Sequence, residues 1–132
     1  MDIVITEWAL QSYLDLRAQN VFSDQDYWNV IRPDVELLEQ YPADPKFKNQ
    51  KFWSVATDLA GKAIPNGFKM KWHNLGPGTV QLRLAVAMWQ GEALLCRGYV
   101  KSSDAADKRE MAKLKHHLLL ISQGSYTRRG KL

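Results

Sequence analysis

The stretch Phe68-Lys69-Met70-Lys71-Trp72-His73, followed by Thr79 to Trp89 and Glu92 to Lys101, alternates apolar and polar residues with period two. That period predicts three β-strands. Asn74 to Gly78 and the pair Gln90-Gly91 are the turns between them. Phe68, Met70, Trp72, Val80, Leu82, Leu84, Val86, Leu94, Cys96 and Val100 take the even positions, while Lys69, Lys71, His73, Arg83, Arg97, Tyr99 and Lys101 take the odd ones. One face is apolar and the other cationic. Successive strands of a meander pair with their neighbours, so cations scattered in sequence gather on one surface of one small sheet.

Outward from this meander the chain reads as helices. Asp2 to Thr6 is an expected strand, and Thr6 then caps a helix over Glu7 to Gln19, with Glu7 in its first turn. Ser23 caps a second helical run, in which Pro33 demands a kink or a restart and which Pro42 closes. Ala43 to Gln50 reads as a polar connection and Lys51 to Gly61 as a third helix ending on its glycine, with Pro65-Asn66-Gly67 as the turn into the sheet. Ser102-Ser103-Asp104 caps a last helix whose inward stripe is Met111, Leu114, Leu118 and Ile121. Residues 125–132 read as a basic, mobile tail on a single domain spanning 1–132. The order strand, helix, helix, strand, strand, strand, helix predicts an α+β fold: a small, mostly antiparallel twisted sheet with the helices on one side. The cationic side of the sheet is then expected to lie open to water.

Composition narrows the function. A chain of 132 residues with 45% hydrophobic content is sized for one core. Its lone cysteine, Cys96, excludes a disulfide framework and reads as a buried structural thiol in a reducing, intracellular setting. The opening Met1-Asp2-Ile3 does not resemble a signal peptide, and no apolar run reaches the ~20 residues of a membrane span. The net charge of +4 is unevenly spread: residues 1–65 hold 6 Lys and Arg against 10 Asp and Glu, and residues 66–132 hold 12 against 4. Such polarity is the electrostatic footprint of a polyanion binder or of a basic solvated surface.

His116 and His117 are adjacent on a helix and diverge by about 100°, so they cannot share a metal, and no metal or cofactor is expected. Lys, Arg, His and Tyr together suit one metal-free reaction, the cleavage of RNA by its own 2′-hydroxyl. A base takes the 2′ proton, cations hold the phosphorane charge and an acid protonates the leaving 5′ oxygen. His73 suits either proton step, and Lys71 or Lys69 suits the base if neighbouring cations lower its pKa. Arg83 and Arg97 suit a phosphate clamp, and Tyr99 can stack on a base or donate a proton. Lys69 and Lys101 extend the phosphate track, and Arg128 and Arg129 add contacts from the tail. Taken singly, each of these cations has a plainer reading as a solubility or edge-protecting residue.

At these residues the chain resembles the RelE/ParE superfamily of bacterial toxins, most closely its HigB-like, phage-associated branch. The basic strand is matched by Lys69-Met70-Lys71-Trp72-His73, the central triplet by Gln81-Leu82-Arg83, and the last motif by Arg97-Gly98-Tyr99-Val100-Lys101, with the C-terminal helix following at Lys108-Arg109-Glu110. Gln81 stands where that pattern has an acidic residue, Arg97 where the branch often has His, and 43–62 is longer than the usual loop. The resemblance implies the toxin of a type II toxin–antitoxin pair, a metal-independent mRNA interferase that cuts codons in the ribosomal A site to a 2′,3′-cyclic phosphate. It further implies a cognate antitoxin, acidic at its contact surface, and a cytoplasmic protein that is bacterial or encoded by a phage or plasmid. Two other readings stay open: a ParE-type DNA gyrase inhibitor and a non-catalytic RNA-binding relative.

Overall fold

The computed structural model describes residues 1–132. Thirteen short segments build one six-stranded sheet with helices on both faces. Strand β1 (Asp2–Thr6) leads into helix α1 (Glu7–Ala18), whose N-cap Thr6 accepts from Ala9 N at 3.2 Å and donates to the Leu95 carbonyl at 2.6 Å. Ser23 and Asp26 form a reciprocal capping box at helix α2 (Asp24–Asp26). A π turn (Tyr27–Ile31) follows, and helix α3 (Arg32–Glu36) restarts with Pro33 in its first turn. Proline has no N–H to give to the preceding turn, and the ladder slips to Arg32 N donating to Tyr27 O just before it.

The meander is β3 (Ala63–Leu75), β4 (Val80–Trp89) and β5 (Glu92–Val100). Gln90 and Gly91, with φ of 49° and 78°, make the tight turn that joins β4 to β5. With β2 (Trp53–Thr57) and β6 (Arg128–Lys131) at the two edges, β1 lies parallel to β5, and every other pairing is antiparallel in the order β2-β3-β4-β5-β1-β6. The fold is α+β, with α1 and the Tyr27–Glu36 region on one face and helix α4 (Asp104–Ser122) on the other. Against the first face pack Ile3, Met70, Trp72, Leu82, Val86 and Leu95; under α4 lie Val4, Ala85, Ala87, Leu94, Cys96 and the stripe Met111, Leu114, Leu118 and Ile121. No helix is long and apolar enough to cross a membrane.

Five expectations are corrected. Residues 51–61 are not a helix: Trp53–Thr57 is strand β2, paired with β3 through Trp53↔Met70 and Val55↔Phe68. Aromatic and β-branched side chains fit the pleated edge, and the Asp58 carboxylate, accepting from Ala60 N and Lys62 N, turns the chain into β3 so that Gly61 serves a turn. Pro65-Asn66-Gly67 consequently falls inside β3. Residues 128–131 are no mobile tail but edge strand β6 (Arg128–Lys131), held to β1 by pairing and by Arg128–Glu92, Arg129–Glu7 and Lys131–Asp2 ion pairs. The cationic face is not open along its length, because α4 crosses it. Finally, Leu94 and Cys96 face α4 and not the α1 side. A bulge sets Ala85 against Arg97 but Val86 against Leu95, so the extra residue, Cys96, reverses the alternation midway along β5.

Candidate nucleic-acid site on the cationic sheet face

The register of the meander converts scattered residues into a grid. Lys71 pairs with Arg83 and Arg83 with Tyr99, which makes one row across three strands. Lys69, Ala85 and Arg97 form the row beside it in the same way. His73 meets Gln81 through Nδ1 at 3.3 Å, and Lys101 N donates to Gln81 O at 2.9 Å, which completes a third row. Side chains within a row stand about 5 Å apart and rows about 7 Å apart, the spacing of successive phosphates along an extended RNA strand being of similar order.

Arg83 is the centre and is only 4% exposed. Its Nη1 donates to the carbonyls of Trp72 at 3.2 Å and Leu82 at 3.1 Å, and its Nη2 to Gln81 Oε1 at 3.0 Å. No carboxylate pairs with it, and burial lowers its pKa from the ordinary guanidinium value. Lys71 donates to the Gln50 carbonyl at 2.6 Å. Burial, reinforced by the charges of Lys69 and Arg83, lowers its pKa as well. His73 is exposed, with Nε2 2.6 Å from the Lys51 carbonyl, so a proton on Nε2 satisfies that contact.

Helix α4 closes one side. Ser103 caps it, accepting from Ala106 N at 3.0 Å, and three residues link β5 to its start, so its first turns lie over the end of β5. Asp107 accepts from Lys69 Nζ at 2.9 Å and from Tyr99 Oη at 2.5 Å, and Glu110 accepts from Arg97 Nε at 2.7 Å and Lys113 Nζ at 3.1 Å. Burial works to raise the Asp107 pKa, but the bonds from Tyr99 and Lys69 outweigh it and hold the group below the usual carboxylate range. Tyr99, buried and bonded to that carboxylate, has its phenol pushed up. Lys101 pairs with the exposed Asp104 at 3.2 Å. Lys69, Lys71, Arg83 and Lys101 against Asp104 and Asp107 leave this cluster at two positive charges.

The fold therefore brings together Lys69, Lys71, His73, Arg83, Tyr99 and Lys101, and it engages Arg97 in an ion pair with α4. Arg128 and Arg129 stand elsewhere. Arg128 binds both oxygens of Glu92, at 2.8 and 2.7 Å, at the start of β5, about 25 Å along the strand from its Tyr99 end. Asp107 and Glu110 make site contacts that the sequence does not announce, and Gln81, known there only as the triplet's first residue, touches both His73 and Arg83. The two carboxylates sit where a helix macrodipole wants acids, and that ordinary role hid their contacts with Lys69, Tyr99 and Arg97. The short link from Lys101 to Ser103 was the available signal.

An α+β domain with one cationic grid, partly covered by its own C-terminal helix, is what the chain presents. Compared with known protein families, curated proteins and solved structures, it matches none.

Proposed function

We propose that this protein is the toxin of a type II toxin–antitoxin pair, a metal-independent endoribonuclease that cuts mRNA on the ribosome. The observation that carries the reading is the row Lys71–Arg83–Tyr99, in which a lysine of lowered pKa stands beside a guanidinium free of any carboxylate. The 2′ oxygen attacks phosphorus and gives its proton to the Lys71 amine in molecules where that amine is unprotonated, a form that its lowered pKa makes more frequent. The positive field of the buried Arg83 guanidinium, just behind the row's surface, favours the charge that builds on the phosphorane oxygens, the P–O5′ bond breaks, and His73, one pleat along β3, protonates the leaving oxygen. Products are a 2′,3′-cyclic phosphate and a 5′-hydroxyl. Tyr99 and Arg97 position α4 through Asp107 and Glu110. A cognate antitoxin with an acidic contact surface would cover the same cations, and the activity belongs in the bacterial cytoplasm.

The engagement of Lys69, Tyr99 and Arg97 by α4 favours a second reading, an RNA-binding module without turnover. Inducing the wild-type chain and Lys71→Met in a bacterial host, with primer extension on cellular mRNA, separates the two. Lys71 is partly exposed and bonds only through its tip, so its loss leaves the fold intact. New in-frame cuts that fall by 100-fold or more in Lys71→Met support the nuclease, in line with removal of a general base. Growth arrest without cuts would move the target to a protein such as DNA gyrase, and RNA binding without arrest would leave the binding module.

A further inference from the structure

The sheet face opposite the cationic grid holds a slot of about 290 Å³. Leu82, Leu84 and Leu95 form its floor, α1 supplies one wall through Ala9 and Leu16, and the π turn supplies the other through Tyr27 and Ile31. Gly98 sets the near wall: a Cβ there would stand 3.2 Å from Leu16 Cδ1, so glycine lets α1 lie close on β5. The π turn shapes the far wall, and such turns are rare and concentrate at functional sites. Trp28, 59% exposed, and Leu10, 37% exposed, are also among the lining residues and so stand at the mouth. Arg32 is the cation there that no sheet carbonyl engages, its guanidinium 5.0 Å from the Trp28 ring centre and its Nε 3.0 Å from Glu36.

Size and chemistry select the occupant. An apolar cavity of ~150 Å³ takes one benzene ring, so this one takes two rings or an extended chain of about ten carbons. An unfilled apolar cavity weakens a fold in proportion to its volume, and an apolar ligand recovers that loss. We propose that the slot binds one medium-length aliphatic chain ending in a carboxylate, with the chain between α1 and the π turn and the carboxylate on Arg32. The site is independent of the nuclease reading.

Titration of the full chain with hexanoate, octanoate, decanoate and tetradecanoate, followed by calorimetry and tryptophan fluorescence, tests this. One saturable site is expected, tightening about threefold to fourfold per methylene up to decanoate and then levelling off. Leu84→Phe, which fills the floor, is expected to weaken decanoate at least tenfold. Arg32→Gln is expected to weaken decanoate at least fivefold and leave 1-decanol unchanged. Absence of saturable decanoate binding, an affinity still climbing at tetradecanoate, or equal affinity of the wild type for decanol and decanoate would each overturn the proposal. Should Leu84→Phe fail to fold, the chain-length series and Arg32→Gln decide it alone.

Discussion

His117 shows how a single side chain sets a pH response. Its ring stacks on Trp8 at 3.8 Å between centroids and 4° between planes, and its Nδ1 is buried with no hydrogen-bond partner. Burial first, then the charges of His116 and Arg97, push its pKa down to about 4, with Glu110 opposing them. The folded state therefore keeps this imidazole neutral where an unfolded chain, titrating at about 6.5, takes up a proton. Stability is full above pH 6.5, falls as the pH drops from there, and stops falling from this cause below about 4. Because the ring is only partly buried, the loss is on the order of 2 kcal/mol. Urea unfolding at pH 7.5 and pH 4.5 checks it: His117→Phe, which keeps the stack, should lose about 2 kcal/mol less between the two pH values than the wild type. An equal loss in both proteins would place the acid sensitivity in the carboxylates. Cys96 behaves differently under the same cover, its thiol pushed up to about 12 by burial and left inert.

At the scale of elements, α4 decides how much of the cationic face can work. Its Asp107 joins Lys69 and Tyr99, three residues from two strands and a helix, in one partly buried knot. Replacing that carboxylate by a neutral isostere frees Lys69 for a phosphate. Asp107→Asn should raise affinity for single-stranded RNA about threefold or more at low salt and add about 0.7 to the steepness of its salt dependence. It should also cost about 1–3 kcal/mol in stability, because the Tyr99 hydroxyl and the lysine lose a charged acceptor. Filter binding and urea melts on the same preparations read both effects, and an unchanged affinity would mean that α4 is a structural cover alone. The period-two reading found β3, β4 and the tight turn, because one face of each is buried and register is then strongly specified. It failed at Cys96, where a bulge leaves no mark in composition, and at 51–61, where helical spacing of Phe52, Val55 and Ala56 competes with the strand preference of Trp53, Val55 and Thr57. Pairing with β3 settles that competition, and such a long-range contact cannot be read locally. The candidate site was legible as a set of strand residues because β pairing keeps their order. Its carboxylates were not, since a helix packing angle is fixed by the core stripe of Met111, Leu114 and Leu118 and not by the acids themselves.

Over the whole molecule the uneven charge of the sequence largely cancels in space. The basic C-terminal strand meets the acidic start of the chain through Lys131–Asp2 and Arg129–Glu7, and Lys115 reaches Asp58 at 3.8 Å. Of 18 Lys and Arg residues, 11 form ion pairs, leaving Lys48, Lys51, Lys62, Lys71, Arg83, Lys108 and Arg109 without one. Lys71 and Arg83 belong to the grid, and Lys51 adjoins it through the carbonyl that His73 contacts. Arg83 is buried behind the others, so Lys51, Lys71 and Lys101, whose partner Asp104 is exposed and easily displaced, make three cations that a nucleic acid can reach on one side of the molecule. Each phosphate neutralised on a single strand contributes about −0.7 to the slope of log K against log salt, so three contacts give about −2. Binding of an unstructured oligoribonucleotide between 50 and 200 mM salt, roughly the range in which such slopes are measured, is the check. Lys71→Met should flatten the slope by about 0.7, while Arg128→Ala and Arg129→Ala, which only unpair Glu92 and Glu7 at the far edge of the sheet, should leave it unchanged. A slope that responds to Arg128 and Arg129 and not to Lys71 would move the polyanion track from the β3–β5 grid to β6, and with it the surface on which any RNA chemistry takes place.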